Sequence, residues 1–140
     1  VLKRIEPFAA DSHFGVREIS WLSVRRQISD NLVEAIECLS QWSYSELENI
    51  RRFSSEATRP RGVWCAHLET LKKNPEMALP ILEPLKSDTS LYVRDSVGNW
   101  LNDAAKSAPN FVTQLCEKWK GESSSKETAY IIKKATRNLI

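Results

Sequence analysis

At 140 residues, with 41% hydrophobic and 27% charged side chains, the chain is long enough for one continuous core and too short for two independent ones. A formal net charge of +2 is too small to imply a polyanionic partner by itself, so the distribution of charge has to be read instead. Four glycines, helix-period patterning and no alternating β-branched run argue against a sheet and for an all-α chain. No apolar run approaches the ~18–20 residues that span a bilayer, and no signal peptide is visible. Cys38, Cys65 and Cys116 have no CxxC or Cys-His spacing, and the only histidines are His13 and His67. That composition argues against a structural zinc site and against any metal, and points to reduced thiols in a cytoplasmic protein.

In chain order, residues 1–10 read as the end of an upstream helix cut by Pro7. Residues 12–27 read as a helix with Phe14 or Val16, Ile19 and Val24 inward, ended by Arg25 and Arg26 near the negative end of its dipole. Asp30 caps a helix over 31–42 that buries Leu32, Ile36, Leu39 and Trp42. Ser45 and Glu48 form a capping box for 46–59, with Leu47, Ile50, Phe53 and Ala57 inward and Pro60 ending it. A basic corner, Arg59-Pro60-Arg61-Gly62, leads into Trp64 and a short helix over 64–72. The next helix, 75–86, contains Pro80 and Pro84 and should be kinked or shortened by them. Its apolar stripe is Ala78, Ile81, Leu82 and Leu85. Residues 89–106 carry Val93, Val97, Leu101 and Ala104 at helix-face spacing. Pro109 opens the following helix, 109–120, which buries Phe111, Val112, Leu115 and Trp119. Ser124 and Glu127 cap a last helix ending at Ile140.

These helices repeat. Val16-Arg17, Ile50-Arg51, Val93-Arg94 and Ile132-Lys133 recur at spacings of 34, 43 and 39 residues, and Trp42 stands to the first pair as Trp119 does to the third. Helix pairs at about 40 residues per unit mark a HEAT-like, armadillo-type α-α superhelical solenoid. Residues 1–140 are read as a single HEAT-like repeat domain. A start at Val1 within helix-like sequence suggests the C-terminal part of a longer protein.

The Val-Arg helices are the natural lining of a concave face, and they carry Arg17, Arg51, Arg52, Arg59, Arg94, Lys133, Lys134 and Arg137. A concave basic surface suits the phosphate backbone of a duplex. The opposing reading pairs each arginine with an acid of the adjacent repeat. Asp103, beside Asn99, Trp100 and Asn102, either stabilises a developing cation or pairs with Arg94 or an arginine of a neighbouring repeat. Glu56 either does the same or orders Arg59 or Arg61. Trp42 and Trp119 are periodic core residues. Trp64 and Trp100 lie off that stripe and either stack on a ligand or cover a repeat junction.

The stretch RRFSSEATRPRGVW (51–64) and the stretch from Ser90 to Trp119 resemble the AlkC branch of the AlkC/AlkD DNA-alkylation-repair glycosylases. The first match rests on Arg51, Arg52, Ser55, Glu56, Thr58, Arg59, Pro60, Arg61 and Trp64. The second rests on Leu91 to Arg94, Ser96, Val97, Asn99, Leu101 to Asp103, Lys106 and Pro109. The resemblance implies a solenoid that cradles double-stranded DNA and hydrolyses the N-glycosidic bond of cationic N3- or N7-alkylated bases, with no cofactor. It makes Asp103 a catalytic-site carboxylate, Arg52 a phosphate-binding arginine and Trp64 an aromatic near the lesion. Arg59, Arg61, Arg94, Asn99, Trp100, Lys133 and Lys134 complete the expected DNA-binding set. Two positions depart from the pattern: His13 stands where the branch has a second active-site glutamate, and Trp100 where it has asparagine. His13 is thus the candidate partner of Asp103, and the alternative is a non-catalytic DNA-structure-binding or protein-interaction solenoid. The resemblance also implies a bacterial, cytoplasmic, nucleoid-associated protein that is monomeric at full length.

Overall fold

The computed structural model describes residues 2–61 and 66–139. Among them the chain forms α-helices and 3-10 turns and no strand. The helices are α1 (Leu2–Ala9), α2 (Phe14–Asp30), α3 (Leu32–Trp42), α4 (Glu48–Glu56), α5 (Glu69–Lys73), α6 (Leu79–Leu82), α7 (Leu91–Ala105), α8 (Pro109–Glu122) and α9 (Lys126–Ala135). α2, α4, α7 and α9 lie side by side in one layer, with α7 packed most extensively against α9 and α4. α3, the segment around α6, and α8 back this layer, and α1 packs on α2 and α4. The expected all-α repeat architecture is therefore what the chain adopts.

The repeat is built by a loop whose chemistry recurs four times. His13, Leu47, Ser90 and Ser125 stand at the N-caps of α2, α4, α7 and α9. Two residues before each cap, a short polar side chain accepts the cap residue's own N–H. These bonds are His13 N to Asp11 Oδ1 (2.7 Å), Leu47 N to Ser45 Oγ (3.1 Å), Ser90 N to Asp88 Oδ1 (2.9 Å) and Ser125 N to Ser123 Oγ (3.4 Å). Four residues after the first three caps, an arginine reaches back over the loop. Arg17 Nη1 donates to the carbonyls of Asp11 and Ser12 (both 2.9 Å), Arg51 Nη1 to those of Ser45 (3.0 Å) and Glu46 (3.2 Å), and Arg94 Nη1 to those of Asp88 (3.1 Å) and Thr89 (2.9 Å). A guanidinium does this well because its planar fork presents several donors at once. The arginine of the Val-Arg landmark is thus a loop clamp. The fourth unit departs from the spacing read in the sequence: its cap is Ser125, which puts Ala129, not Lys133, at the clamp position.

Twelve residues after each of the first three caps, a second polar side chain joins its repeat to the next. Arg25 donates to the main chain of Arg59 (2.7 Å), Arg59 pairs with Asp103 (2.8 Å), and Asn102 donates to the carbonyl of Ala135 (3.3 Å). Behind this ladder the expected apolar positions form the core. Ile81, Leu82, Leu85, Val93, Val97, Leu101, Ala104 and Trp119 are fully buried. Gly98 lets α9 come close to α7, for a Cβ there would lie 2.8–2.9 Å from the Lys134 stem.

Several local expectations are corrected. Pro7 lies inside α1, which ends two residues later at Ala9. α2 runs to Asp30, because Arg25 turns inward instead of ending the helix, while Phe14 and Ile19 are exposed and Trp21 and Ile28 take the buried positions. Asn31, not Asp30, precedes α3. Ser45 bonds to Leu47 and forms no capping box, so α4 starts at Glu48 and Leu47 is exposed. Of the helix expected over 64–72 only Glu69–Lys73 forms, with residues 62–65 outside the described part. Pro80 and Pro84 reduce the next helix to α6 between two 3-10 turns, Pro75–Ala78 and Glu83–Leu85, as their missing N–H groups demand. Ser125 rather than Ser124 caps α9, which ends at Ala135.

Candidate nucleic-acid interface and carboxylate cluster

Helix periodicity brings the charged residues of the α2–α4–α7 layer into one chain of alternating sign. Glu18 on α2 accepts from Arg52 on α4 (2.9 Å), and Arg52 also lies 3.5 Å from Glu56, one turn on. Glu56 accepts from Arg59 (3.2 Å), whose Nε and Nη2 make a two-point contact with Asp103 on α7 (2.8 and 3.2 Å). The other oxygen of Glu18 is held by the indole N–H of Trp21. The other oxygen of Glu56 accepts from Ser96 Oγ (2.8 Å), which is bonded in turn to Ser55 Oγ (2.7 Å). Three acids and two arginines make the cluster net −1 in formal charge. The side chains of Glu56 and Asp103 are 6% and 5% exposed, those of Arg59 and Arg52 14% and 12%, and that of Glu18 20%. Burial works against the charge of Arg59, but the hydrogen bond to Asp103 and the nearness of Glu56 outweigh it, and its pKa is raised above the usual arginine range. Arg59 therefore stays charged between the carboxylates of Glu56 and Asp103.

Tyr92 supports the cluster from α7. Its ring centroid lies 4.4 Å from the Arg52 guanidinium and 5.1 Å from that of Arg17, and its hydroxyl accepts from Arg17 Nε (3.2 Å). An aromatic face between two cations offsets part of their repulsion.

Of the residues expected at the site, Asp103, Arg52 and Arg59 come together. His13 does not join them. It is exposed at the N-cap of α2, where Nδ1 accepts the N–H of Gly15 (3.1 Å). The acid that α2 contributes is Glu18, a residue outside the expected set. Its signal was present: Glu18 and Arg52 lie one residue beyond Arg17 and Arg51 in the repeat, so neighbouring repeats present them side by side. Trp100 is also corrected. It is fully buried and its N–H bonds to Thr58 Oγ1 (3.1 Å), so it covers a repeat junction and has no face for a base. Glu56 does order Arg59. Asp103 pairs with an arginine of the neighbouring repeat, Arg59, as one of the two expected pairings has it, while Arg94 is the clamp of its own loop and stacks on Tyr130 at 5.2 Å. Asn99 accepts from Arg137 (3.1 Å), and Lys134 lies along Gly98 with its ammonium 3.6 Å from Asp95. Lys133 is exposed, and Arg61 is half-buried. Trp64 lies outside the described residues. Among the described residues no group of three His, Cys, Asp or Glu is arranged to hold a metal ion, and no helix is long and apolar enough to cross a membrane.

The layered α-α repeat places the chain among helical-repeat proteins, and solved structures of that architecture are similar to it. The alkylpurine DNA glycosylase AlkC of Pseudomonas fluorescens, solved bound to DNA containing an abasic site analog, superposes with a TM-score of 0.85 at 32% identity, over 99% of this chain and 38% of its own. AlkD2 of Streptococcus mutans gives 0.79 at 27% identity over 98% of this chain and 64% of its own, and smu.31 from Streptococcus mutans UA159 gives 0.80 at 28% over 98% and 66%. The uncharacterized protein YhaZ of Bacillus subtilis (strain 168) is 38% identical over 99% of this chain. The chain spans 37% of the length of YhaZ and 38% of that of AlkC. No family model matches. The likeness to the AlkC and AlkD proteins read from residues 51–64 and 90–119 is thus borne out in three dimensions.

Proposed function

We propose that the chain is the repeat domain of a DNA-repair protein that binds double-stranded DNA and excises cationic N3- or N7-alkylated bases by hydrolysis of the N-glycosidic bond. One observation carries the reading: α2, α4 and α7 present Glu18, Glu56 and Asp103 as consecutive acids separated only by arginines. A solenoid stabilised purely by packing has no need of three carboxylates on one face. A cationic base is already a good leaving group, and breaking the bond between C1′ and the base nitrogen returns the electron pair to the base and leaves an oxocarbenium-like sugar. Fixed carboxylates stabilise that cation without moving, because Arg59, Ser96 and Trp21 already hold their oxygens in place. Water then adds at C1′ and its proton passes to solvent, the cationic base having left as a neutral molecule. Asp103 is assigned the position nearest the sugar cation, with Glu56 as second carboxylate. His13 is withdrawn from the chemistry and assigned to the helix cap.

Arg52 and Arg59 are assigned to the edge of the cluster, where they set its charge and grip phosphate only in part. Arg61, Trp64, Lys133 and Lys134 are assigned to the DNA around it. The same reading makes the protein cytoplasmic, nucleoid-associated and monomeric at full length, and makes residues 1–140 one repeat domain of it. The AlkC neighbour's DNA complex supports the choice of partner.

A second reading, DNA binding without excision, is favoured by the pairing of Arg59 with Asp103, which leaves that carboxylate 5% exposed. Base release from methylated duplex DNA separates the two. Wild-type release that Asp103→Asn loses by at least about a hundredfold, with affinity nearly unchanged, supports catalysis. No release, with salt-sensitive binding intact, leaves the second reading. Absence of DNA binding removes both.

A further inference from the structure

The loop that follows α4 has to satisfy carbonyls that no helix can use, since the last four C=O groups of any helix lack intrahelical donors. Arg25 supplies the donors from another repeat. It is 5% exposed at the middle of α2, and its guanidinium donates to the carbonyls of Ala57 (3.2 Å), Arg59 (2.7 Å) and Ala66 (2.7 Å). Ala57 is the C-cap of α4, so the cation also sits at the negative end of that helix dipole. The first two carbonyls stand at the start of the 57–66 loop and the third at its end. Arg25 therefore clasps Ala57 and Arg59 to Ala66. A further bond, Leu68 N to the carbonyl of Pro60 (3.0 Å), ties the same two segments together.

The clasped loop carries Arg59. Nη1 of Arg25 fixes the main chain of Arg59, and the side chain of Arg59 fixes both oxygens of Asp103. We infer that Arg25 is a positioning residue for the carboxylate cluster, acting on Asp103 through Arg59. Its role is geometric: these donors go to main-chain carbonyls. Only arginine meets the requirement, because three acceptors from two ends of a loop need a planar fork of donors. A lysine keeps the charge and loses the geometry.

This inference rests on the proposed DNA-repair reading for its functional consequence, and on the loop alone for its structural one. The test uses the protein with Arg25→Lys, alone and combined with Arg59→Ala. Amide hydrogen exchange reads the clasp without DNA or activity. Arg25→Lys is expected to speed exchange at Leu68 roughly tenfold while α7 amides keep their protection. Duplex DNA affinity and, where present, base release read the consequence. Arg25→Lys is expected to weaken them roughly tenfold in the wild-type background and less than about threefold once Arg59 is gone. Loop exchange unchanged, protection lost equally everywhere, or effects of the two substitutions that simply add would each overturn the inference. If Arg25→Lys does not fold, the Nη protons of Arg25 in the wild type decide. Slow exchange of these protons supports a clasp, and exchange as fast as that of exposed Arg26 overturns it. Wild type that binds DNA and releases no base removes the proposed reaction and leaves the clasp readable from exchange and affinity.

Discussion

Neutralising Glu18 shows how much arginine charge the cluster holds back from a partner. Glu18→Gln keeps the shape and an oxygen for the Trp21 N–H, but removes the shorter of the two ion pairs of Arg52 and leaves only Glu56 at 3.5 Å. DNA affinity is expected to rise by about threefold to tenfold at low salt, and the log–log salt slope to steepen by about 0.9, one phosphate's worth. Titration of a labelled duplex at several salt concentrations reads both, and an unchanged slope would show that Arg52 stays turned away from phosphate. Asp103→Asn tests the other end of the cluster. Losing the charge opposite half-buried Arg59 is expected to cost about 1–3 kcal/mol of stability, measured by denaturant unfolding. The thiols give a prediction of a different kind. Burial pushes Cys116 up to about 11, so it is a neutral thiol in the native state. An acid whose folded pKa is raised stabilises the fold below its unfolded pKa, about 8.5, and that contribution is lost as pH climbs from there towards about 11. Labelling of Cys116 by a disulfide reagent at pH 8 should accordingly be far slower than in the denatured chain, and equal rates would contradict its burial.

At the scale of the helix, two tryptophans and one glycine separate packing from polar contact. Trp100 and Trp119 are both fully buried, but only Trp100 has an N–H partner among the described residues, Thr58. Trp100→Phe should therefore destabilise by about 1 kcal/mol more than Trp119→Phe, a difference readable from paired unfolding curves. Gly98→Ala gains helix propensity of up to about 1 kcal/mol but drives a methyl into Cβ of Lys134, which is anchored to α9 and cannot swing away. The expected balance is destabilisation by about 1 kcal/mol or more, with α9 losing amide protection first. These elements also show where the chain was legible. Apolar periodicity placed Val93, Val97, Leu101 and Ala104 correctly, because a helix face needs only spacing. It misplaced the buried face of α2, where Arg25 and Ser20 are inside and Phe14 and Ile19 outside. A buried arginine reads as a surface residue until its three carbonyl partners, 32 to 41 positions away, are known. Glu18 lies outside the expected set for the same reason, since its meaning comes from Arg52 on another helix.

Across the whole molecule, counting basic residues overstated the positive surface. Arg17, Arg51 and Arg94 serve their own loops, Arg51 also pairs with Asp88 at 2.7 Å, and Arg52 and Arg59 sit between acids. The proposed binding therefore should show a salt slope shallower than the eight cations of the Val-Arg helices would give, about −0.9 for each one truly on phosphate. The cluster has a further consequence for how such an array can change in length. Glu56 and Arg59 belong to one repeat, Ser96 and Asp103 to the next, and they meet only because those repeats are adjacent. A unit added before α1 or after α9 leaves that junction whole. A unit inserted between α4 and α7 would carry its two halves apart by a full repeat width, beyond the reach of any side chain. Recombination can lengthen this scaffold at its ends, but its middle is fixed in number.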